Sequence, residues 1–368
     1  MMNKKINLAI IFGGKSGEHE VSLVSGRSIF NALDKKKYNI HLIGIDKNGN
    51  WRLGKPKDFW INPNDTKKIK LNPKSILITV ANYNGKTYLI NLANGKKIAS
   101  VDVFFPITHG TFGEDGCLQG FLEMLEVAYV GPGVLGSAVG MDKDVMKRLF
   151  REAGIEIGKF CAWEENDCST KAIAGAIEKL RFPIFVKPAN LGSSVGISKA
   201  YNKKELEKAI KFAFEFDTKI ILEENLAGRE IECSVLGNDK PIASIPGEIK
   251  LNSDFYSYTA KYIDENSAVP VPKADLDKKT IKKIQETAVK IFKTLGCYGM
   301  GRVDFFLTKN GKLYANEINT LPGFTSISMY PKMFESSGIN YSKLLDLLIE
   351  FAQEKRAQKN KLRREFKA

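Results

Sequence analysis

Cysteine is sparse and poorly placed for cross-linking. The 368 residues hold five, at positions 117, 161, 168, 233 and 297. The number is odd and no two form a C-x-x-C pair, so neither a disulfide framework nor a zinc ribbon is expected. The chain has no N-terminal apolar stretch with a cleavage site and no uninterrupted apolar run of membrane length. The expectation is a cytoplasmic, reducing compartment and no membrane partner. Repeats and low-complexity segments are absent. So are the standard phosphate fingerprints. IIFGGKSGEHEVS, residues 10–22, runs from an apolar strand through two glycines into helix-like sequence. A P-loop needs G-x-x-x-x-G-K-[ST]. Gly14, Lys15 and Ser16 supply its end, but Ala9 stands where the opening glycine belongs. A G-x-G-x-x-G ending at Gly17 would need a glycine in place of Phe12. The corner is a doubly wound strand–turn–helix with no nucleotide signature, which counts against a nicotinamide dehydrogenase.

What is present is ordinary for a soluble globular protein: 43% hydrophobic, 27% charged and long enough for two or three domains. The net charge is +14, carried mainly by scattered lysines and densest at 355–367. No nucleic-acid module accompanies it, so the charge reads as a solvated lysine-rich surface and a basic helix end, with no nucleic-acid partner. A positive field also suits an anionic substrate. Strands are predicted at 7–12, 40–45 and 101–106, with a helix at 17–33. Residues 51–100 are polar, with hairpin signals at Asn84-Gly85 and Asn94-Gly95. Further on come helices at 141–153, 203–216, 277–295 and from 341, and strands at 182–186 and 220–224. Three mixed α/β and α+β regions follow: 1–140, 141–235 and 236–368.

GRVDFFLTKNGKLYANEINTLPG, residues 301–323, is the most informative stretch. Asn310-Gly311 between two alternating runs signals a two-residue hairpin turn. That register sets Asp304 opposite Glu317 and Arg302 opposite Asn319, all on one face. Two carboxylates about 4 Å apart repel by about 4 kcal/mol at an effective dielectric near 20. A hard cation between them reverses the sign. Asp, Glu and Asn oxygens suit Mg2+ or Mn2+, and magnesium commonly completes its shell with substrate phosphates. The alternative is an Arg–carboxylate network on a solvated face.

FPIFVKPANLGSSVGISKA, residues 182–200, sets Lys187 at a strand end before Gly192, Ser193, Ser194 and Gly196. Glycines let a backbone approach phosphate closely, and a strand-end lysine supplies point charge. Alone, the segment reads equally as a flexible surface hairpin. ILEENLAGRE, residues 221–230, adds an acidic strand edge able to meet a base and a ribose.

Together these segments resemble the ATP-grasp superfamily and, within it, the D-alanine–D-alanine ligase family. HGTFGEDGCLQG (109–120) and GRVDFFLTKNGKLYANEINTLPGFTSIS (301–328) are similar to its two long signatures, FGGKSGEHEVSLVSG to its N-terminal motif and FYSYTAKY (255–262) to its active-site loop. The resemblance implies a three-domain ATP-grasp fold with an N-terminal doubly wound parallel-sheet domain. It implies ATP-dependent joining of two D-alanines through a D-alanyl phosphate, for peptidoglycan precursors. By the same resemblance, Lys143 and Lys187 would contact ATP phosphates and Ser194 would close over them. Glu223 and the Asn225–Leu226 backbone would take adenine, Glu230 the ribose, and Phe306 would pack on the base. Asp304, Glu317 and Asn319 would bind two Mg2+ or Mn2+ ions. Arg302 and the Gly323 N–H would stabilise an oxyanion, where one donor contributes about 3–4 kcal/mol. Glu18, linked to Ser193 and Tyr262, would hold the first D-alanine, with His109 nearby. Read on its own residues, Glu18 is explained by the helix dipole alone. Lys261 would bridge phosphate and substrate, and Ser328 would hold the second substrate's carboxylate. Residues 255–270 would form a lid. The loop residues resemble the D-alanine-specific type, with D-lactate, D-serine or another ATP-grasp amine acceptor as alternatives. A homodimer is a further implication. His19 and His41 read as structural.

Overall fold

The strand Ile6–Gly13 is apolar from Leu8 to Phe12 because that run is buried on both faces. Leu8, Ile10 and Phe12 enter one core, while Ala9 and Ile11 enter another. The computed structural model describes residues 4–251 and 268–363. In it, Ile6–Gly13 lies inside an eight-stranded sheet. Its neighbours are the parallel strands Tyr38–Ile45 and Val103–Pro106, and Ala128–Tyr129 pairs in parallel with Val103–Pro106 beyond them. Helix His19–Ala32 covers one face and helix Cys117–Met124 the other, the doubly wound arrangement. The polar stretch 51–100 extends this sheet with four antiparallel strands, Trp51–Gly54, Ile76–Tyr83, Lys86–Asn91 and Lys97–Val101. Asn84 and Gly85, with φ of 50° and 72°, make the two-residue turn expected there. Asn94-Gly95 belongs to a longer loop, since Asn91 already bonds to Lys96.

A second, antiparallel sheet runs Phe160–Glu164, Lys219–Glu224, Ile184–Pro188, Ser198–Ala200. Helices Thr170–Leu180 and Lys203–Phe214 bury one of its faces. A third sheet runs Ala268–Val271, Gly247–Leu251, Arg229–Gly237, Gly299–Leu307, Leu313–Asn319, with Ile242–Ala243 paired on Arg229–Gly237.

The cores do not divide where the chain was expected to. A boundary at 235 would cut the strand Arg229–Gly237, which pairs with Gly299–Leu307 along its whole length. The change of sheet falls instead at 225–228. Helix Lys143–Glu152 precedes the second sheet in sequence but packs Met146 and Phe150 into the core of the third. Helix Tyr341–Asn360 lies on the strands Val103–Pro106 and Ala128–Tyr129 and brings Leu344, Leu345, Leu348 and Ile349 into the core that holds Phe105 and Ala128. Its basic end is not simply solvated: Lys359 pairs with Glu123 and lies 3.3 Å from the Tyr298 hydroxyl. Leu348 is fully buried in this seam. Leu348→Ala should cost about 2–5 kcal/mol, read as a lower denaturant midpoint.

Candidate active site

Asp142 fixes the start of helix Lys143–Glu152, its carboxylate accepting from Asp144 N at 3.1 Å and Val145 N at 3.0 Å. Lys143 and Lys147 then lie four residues apart on one face. Lys143 is tied to the glycine-rich segment twice. Its backbone N–H donates to Ala189 O at 3.0 Å and its ammonium to Leu191 O at 2.6 Å. The same ammonium lies 3.4 Å from Glu317 Oε2. Lys147 meets Glu223 Oε1 at 2.6 Å, and Lys187 pairs with Glu223 Oε2. Burial pushes the Glu223 carboxyl up, but the two ammonium groups outweigh it and hold it down to about 2. Burial also opposes charge on Lys187, yet Glu223 and Glu317 keep it above its ordinary value. Lys147 was not among the expected residues. Its only mark in the sequence is its four-residue spacing from Lys143.

Along Gly299–Leu307, Val303, Phe305 and Leu307 face the core while Arg302, Asp304 and Phe306 face the other way. Asp304 pairs with Glu317 and Arg302 with Asn319, as expected, but the route differs. Thr308 N donates to Lys312 O at 3.0 Å, and Gly311 has φ 75°, so the turn is one residue longer than a two-residue loop. A bulge between Asp304 and Phe305, with Asn316 as the extra residue, restores the register. The two offsets cancel.

Arg302 donates to both Asp304 oxygens at 2.7 Å and lies 3.4 Å from Glu232 Oε2. Burial works against this guanidinium, but Asp304 and Glu232 hold it well above its usual pKa. The Arg–carboxylate network raised as an alternative is thus present. Asn319 Oδ1, on the same face, is buried with no hydrogen-bond partner among the described residues. Two carboxylates and an orphaned amide oxygen fit a hard divalent cation. Among the described residues, no three His, Cys, Asp or Glu side chains gather about one point. Glu230 pairs in register with Phe306. Glu224 accepts from Lys159 N at 2.7 Å, anchoring the Asn225–Leu226 link.

Glu18 sits at the N-cap of helix His19–Ala32, one position before the first turn, and makes no side-chain cap bond. Ser193 Oγ donates to its Oε1, joining segments 175 residues apart. Ser193 and Ser194 hold φ of 52° and 59°, a left-handed conformation costing about 1–3 kcal/mol per residue. A Cβ on Gly110 would lie 3.5 Å from Glu18 Oε2, and one on Gly192 3.7 Å. Three separate loops therefore meet at this carboxylate. His109 is buried with Nδ1 3.5 Å from Glu114 Oε1 and its ring also near the Leu321 backbone. Burial lowers its basicity, but Glu114 and Glu18 hold it above the ordinary value. Glu114, unassigned from the sequence, is the partner that orients it. A Cβ on Gly323 would come within 2.9 Å of Ser328 Oγ, which accepts from Thr325 N at 2.9 Å. Lys261 and Tyr262 lie outside the described residues. His19 bonds to Gly14 O at 2.8 Å, a structural role as expected.

Because the Glu223 carboxyl is depressed in the folded state, its contribution is complete above its ordinary value of 4.5 and is lost as pH falls toward 2. Unfolding free energy should drop by about 3 kcal/mol across that window. Glu223→Gln should flatten that segment of the stability–pH curve.

Comparison with known proteins agrees with this geometry. The D-ala D-ala ligase N-terminus model matches residues 7–132 and the D-ala D-ala ligase C-terminus model residues 149–350. A D-alanine–D-alanine ligase of Oceanobacillus iheyensis is 48% identical over 362 residues, 98% of each chain. D-alanine–D-alanine ligase A of Escherichia coli is 48% identical over 360 residues, 98% of this chain and 99% of its own. Among solved structures, the D-alanine-D-alanine ligase from Coxiella burnetii superposes with a TM-score of 0.85 at 39% identity, over 97% of this chain and 96% of that one. VanG D-Ala:D-Ser ligase from Enterococcus faecalis gives 0.83 at 38%, over 95% and 100%. With both halves of the fold matched and nearly half of all positions shared with such relatives, the chain belongs to the D-alanine–D-alanine ligase family.

Proposed function

We propose that this enzyme joins two D-alanines in an ATP-dependent, ADP-forming reaction that supplies a peptidoglycan precursor. One observation carries the reading: Lys143 Nζ lies 3.4 Å from Glu317 Oε2, which brings a phosphate-binding cation beside a metal-binding carboxylate. Asp304, Glu317 and Asn319 would hold Mg2+ or Mn2+, as two ions, and the metal would neutralise charge on the transferred phosphate. Release of Asp304 from Arg302 would accompany loading.

Glu18 pairs with the ammonium of the first D-alanine, and Ser193 fixes its carboxylate in place. His109, steadied by Glu114, lies on the same side. The substrate carboxylate attacks the γ-phosphorus of ATP and ADP departs, leaving an acyl phosphate. Lys143 and Lys187 balance the phosphate charge, and Ser194 with its loop covers it. Glu223 and the Asn225–Leu226 backbone read adenine, Glu230 the ribose, and Phe306 packs on the base. The amine of the second D-alanine, whose carboxylate Ser328 holds, then attacks the acyl carbon. Arg302 and the Gly323 N–H meet the oxyanion that forms, and phosphate leaves. Lys261 and Tyr262 would complete the enclosure that keeps water from the acyl phosphate. D-lactate or D-serine as second substrate is the nearest alternative, favoured by the likeness to a D-Ala:D-Ser ligase.

No helix among the described residues is long and apolar enough to cross a membrane, and we assign the enzyme to the cytoplasm. Exposed Phe121, Met124 and Leu135, on two neighbouring helices, offer an apolar surface for a homodimer.

Phosphate release from Mg-ATP should require D-alanine, yield D-alanyl-D-alanine and stop on chelation of the metal. Release with D-alanine only when D-serine or D-lactate is added would overturn the second-substrate assignment. Arg302→Ala should lower kcat by about 100-fold or more while ATP still binds. Loss of ATP binding would remove Arg302 from the oxyanion role.

A further inference from the structure

Lys147 takes no part in the scheme above, yet it is more enclosed than Lys143 or Lys187, at 4% side-chain exposure against 8% and 13%. Its ammonium meets one oxygen of Glu223 while Lys187 meets the other. These two lysines are the cations that act most strongly on Glu223 among the described residues, and Glu317 and Glu230 act on Lys187 from the third sheet. During the reaction Lys187 is needed at a phosphate. A lysine that turns to phosphate weakens its hold on Glu223, and a buried carboxylate stripped of its partner is strongly disfavoured. Lys147 rises from the other side, on a helix whose start is fixed by the Asp142 cap, and has no such second duty.

We propose that Lys147 is the standing counter-ion of Glu223: it keeps that carboxylate ionised and oriented while Lys187 serves phosphate, and so makes the base pocket choose adenine over guanine. This rests on the assignment of Glu223 to the purine base. An ionised carboxylate only accepts hydrogen bonds, and it has lone pairs beyond the two the lysines take. Adenine offers an amine donor at ring position 6, where guanine presents a carbonyl acceptor. A carboxylate therefore rejects guanine, whereas a protonated Glu223 would donate to it. Lys147 touches Glu223 and not the nucleotide, so it is a positioning residue.

The test is steady-state kinetics of the whole enzyme with Mg-ATP and Mg-GTP at saturating D-alanine. Lys147→Met should raise KM for ATP about tenfold, leave kcat within about threefold, and narrow the ATP-over-GTP ratio of kcat/KM about tenfold. Lys147→Arg should restore both. In a Glu223→Gln background, Lys147→Met should change the ratio no further. That double variant removes the buried charge with its partner, and it serves if the single variant is insoluble: a ratio different from that of Glu223→Gln alone overturns the proposal. So does an unchanged ratio in Lys147→Met when Glu223→Gln narrows it, or a fall in kcat with KM unmoved. An unchanged ratio in Glu223→Gln overturns the base assignment and the proposal together.

Discussion

Charge compensation in the gap between the second and third sheets is the constraint on which the site depends. Lys143, Lys147, Lys187 and Arg302 face Glu223, Glu232, Asp304 and Glu317 there, at distances of 3.4 Å or less. None of these groups is stable alone at such depth, since each would carry the desolvation penalty of an unpaired ion. Together they oblige the helix Lys143–Glu152, the strand ends at Lys187 and Glu223 and the hairpin 299–319 to hold one arrangement. The apolar cores behind them set the elements, and the ions set how the elements meet.

Much of this was legible in the sequence, for identifiable reasons. Alternation along 301–319 put Arg302, Asp304, Glu317 and Asn319 on one face, because side-chain parity survives an error of turn length when a bulge makes it good. Apolar runs at 8–12 and 182–186 marked the strands Ile6–Gly13 and Ile184–Pro188. Partnerships between distant segments were not legible. Nothing in local periodicity joins Lys147 to Glu223, and only the family motifs linked Glu18 with Ser193, because these contacts exist only after the sheets have met. The domain boundary at 235 failed for the same reason: a strand's sheet is chosen by its partner, here Gly299–Leu307, and not by its neighbours in sequence.

The corner that resembled a phosphate loop has a different use. Gly13 and Gly14 adopt φ of 89° and 112°, which turns the chain sharply enough to bring Glu18 to Ser193 of the glycine-rich segment. A carboxylate there repels phosphate and attracts ammonium. Lys15 and Ser16 complete no fingerprint, and the two glycines serve the turn that carries the chain into helix His19–Ala32.

The seam between helix Tyr341–Asn360 and the first sheet has a consequence for synthesis of the chain. Phe105 of the first sheet leaves the ribosome long before Leu344, Leu345, Leu348 and Ile349, which share its core. With N-terminal segments folding first during translation, the first sheet waits with part of one apolar face open while the rest of the chain is made. That face stays open to contact with other chains until helix Tyr341–Asn360 has been made.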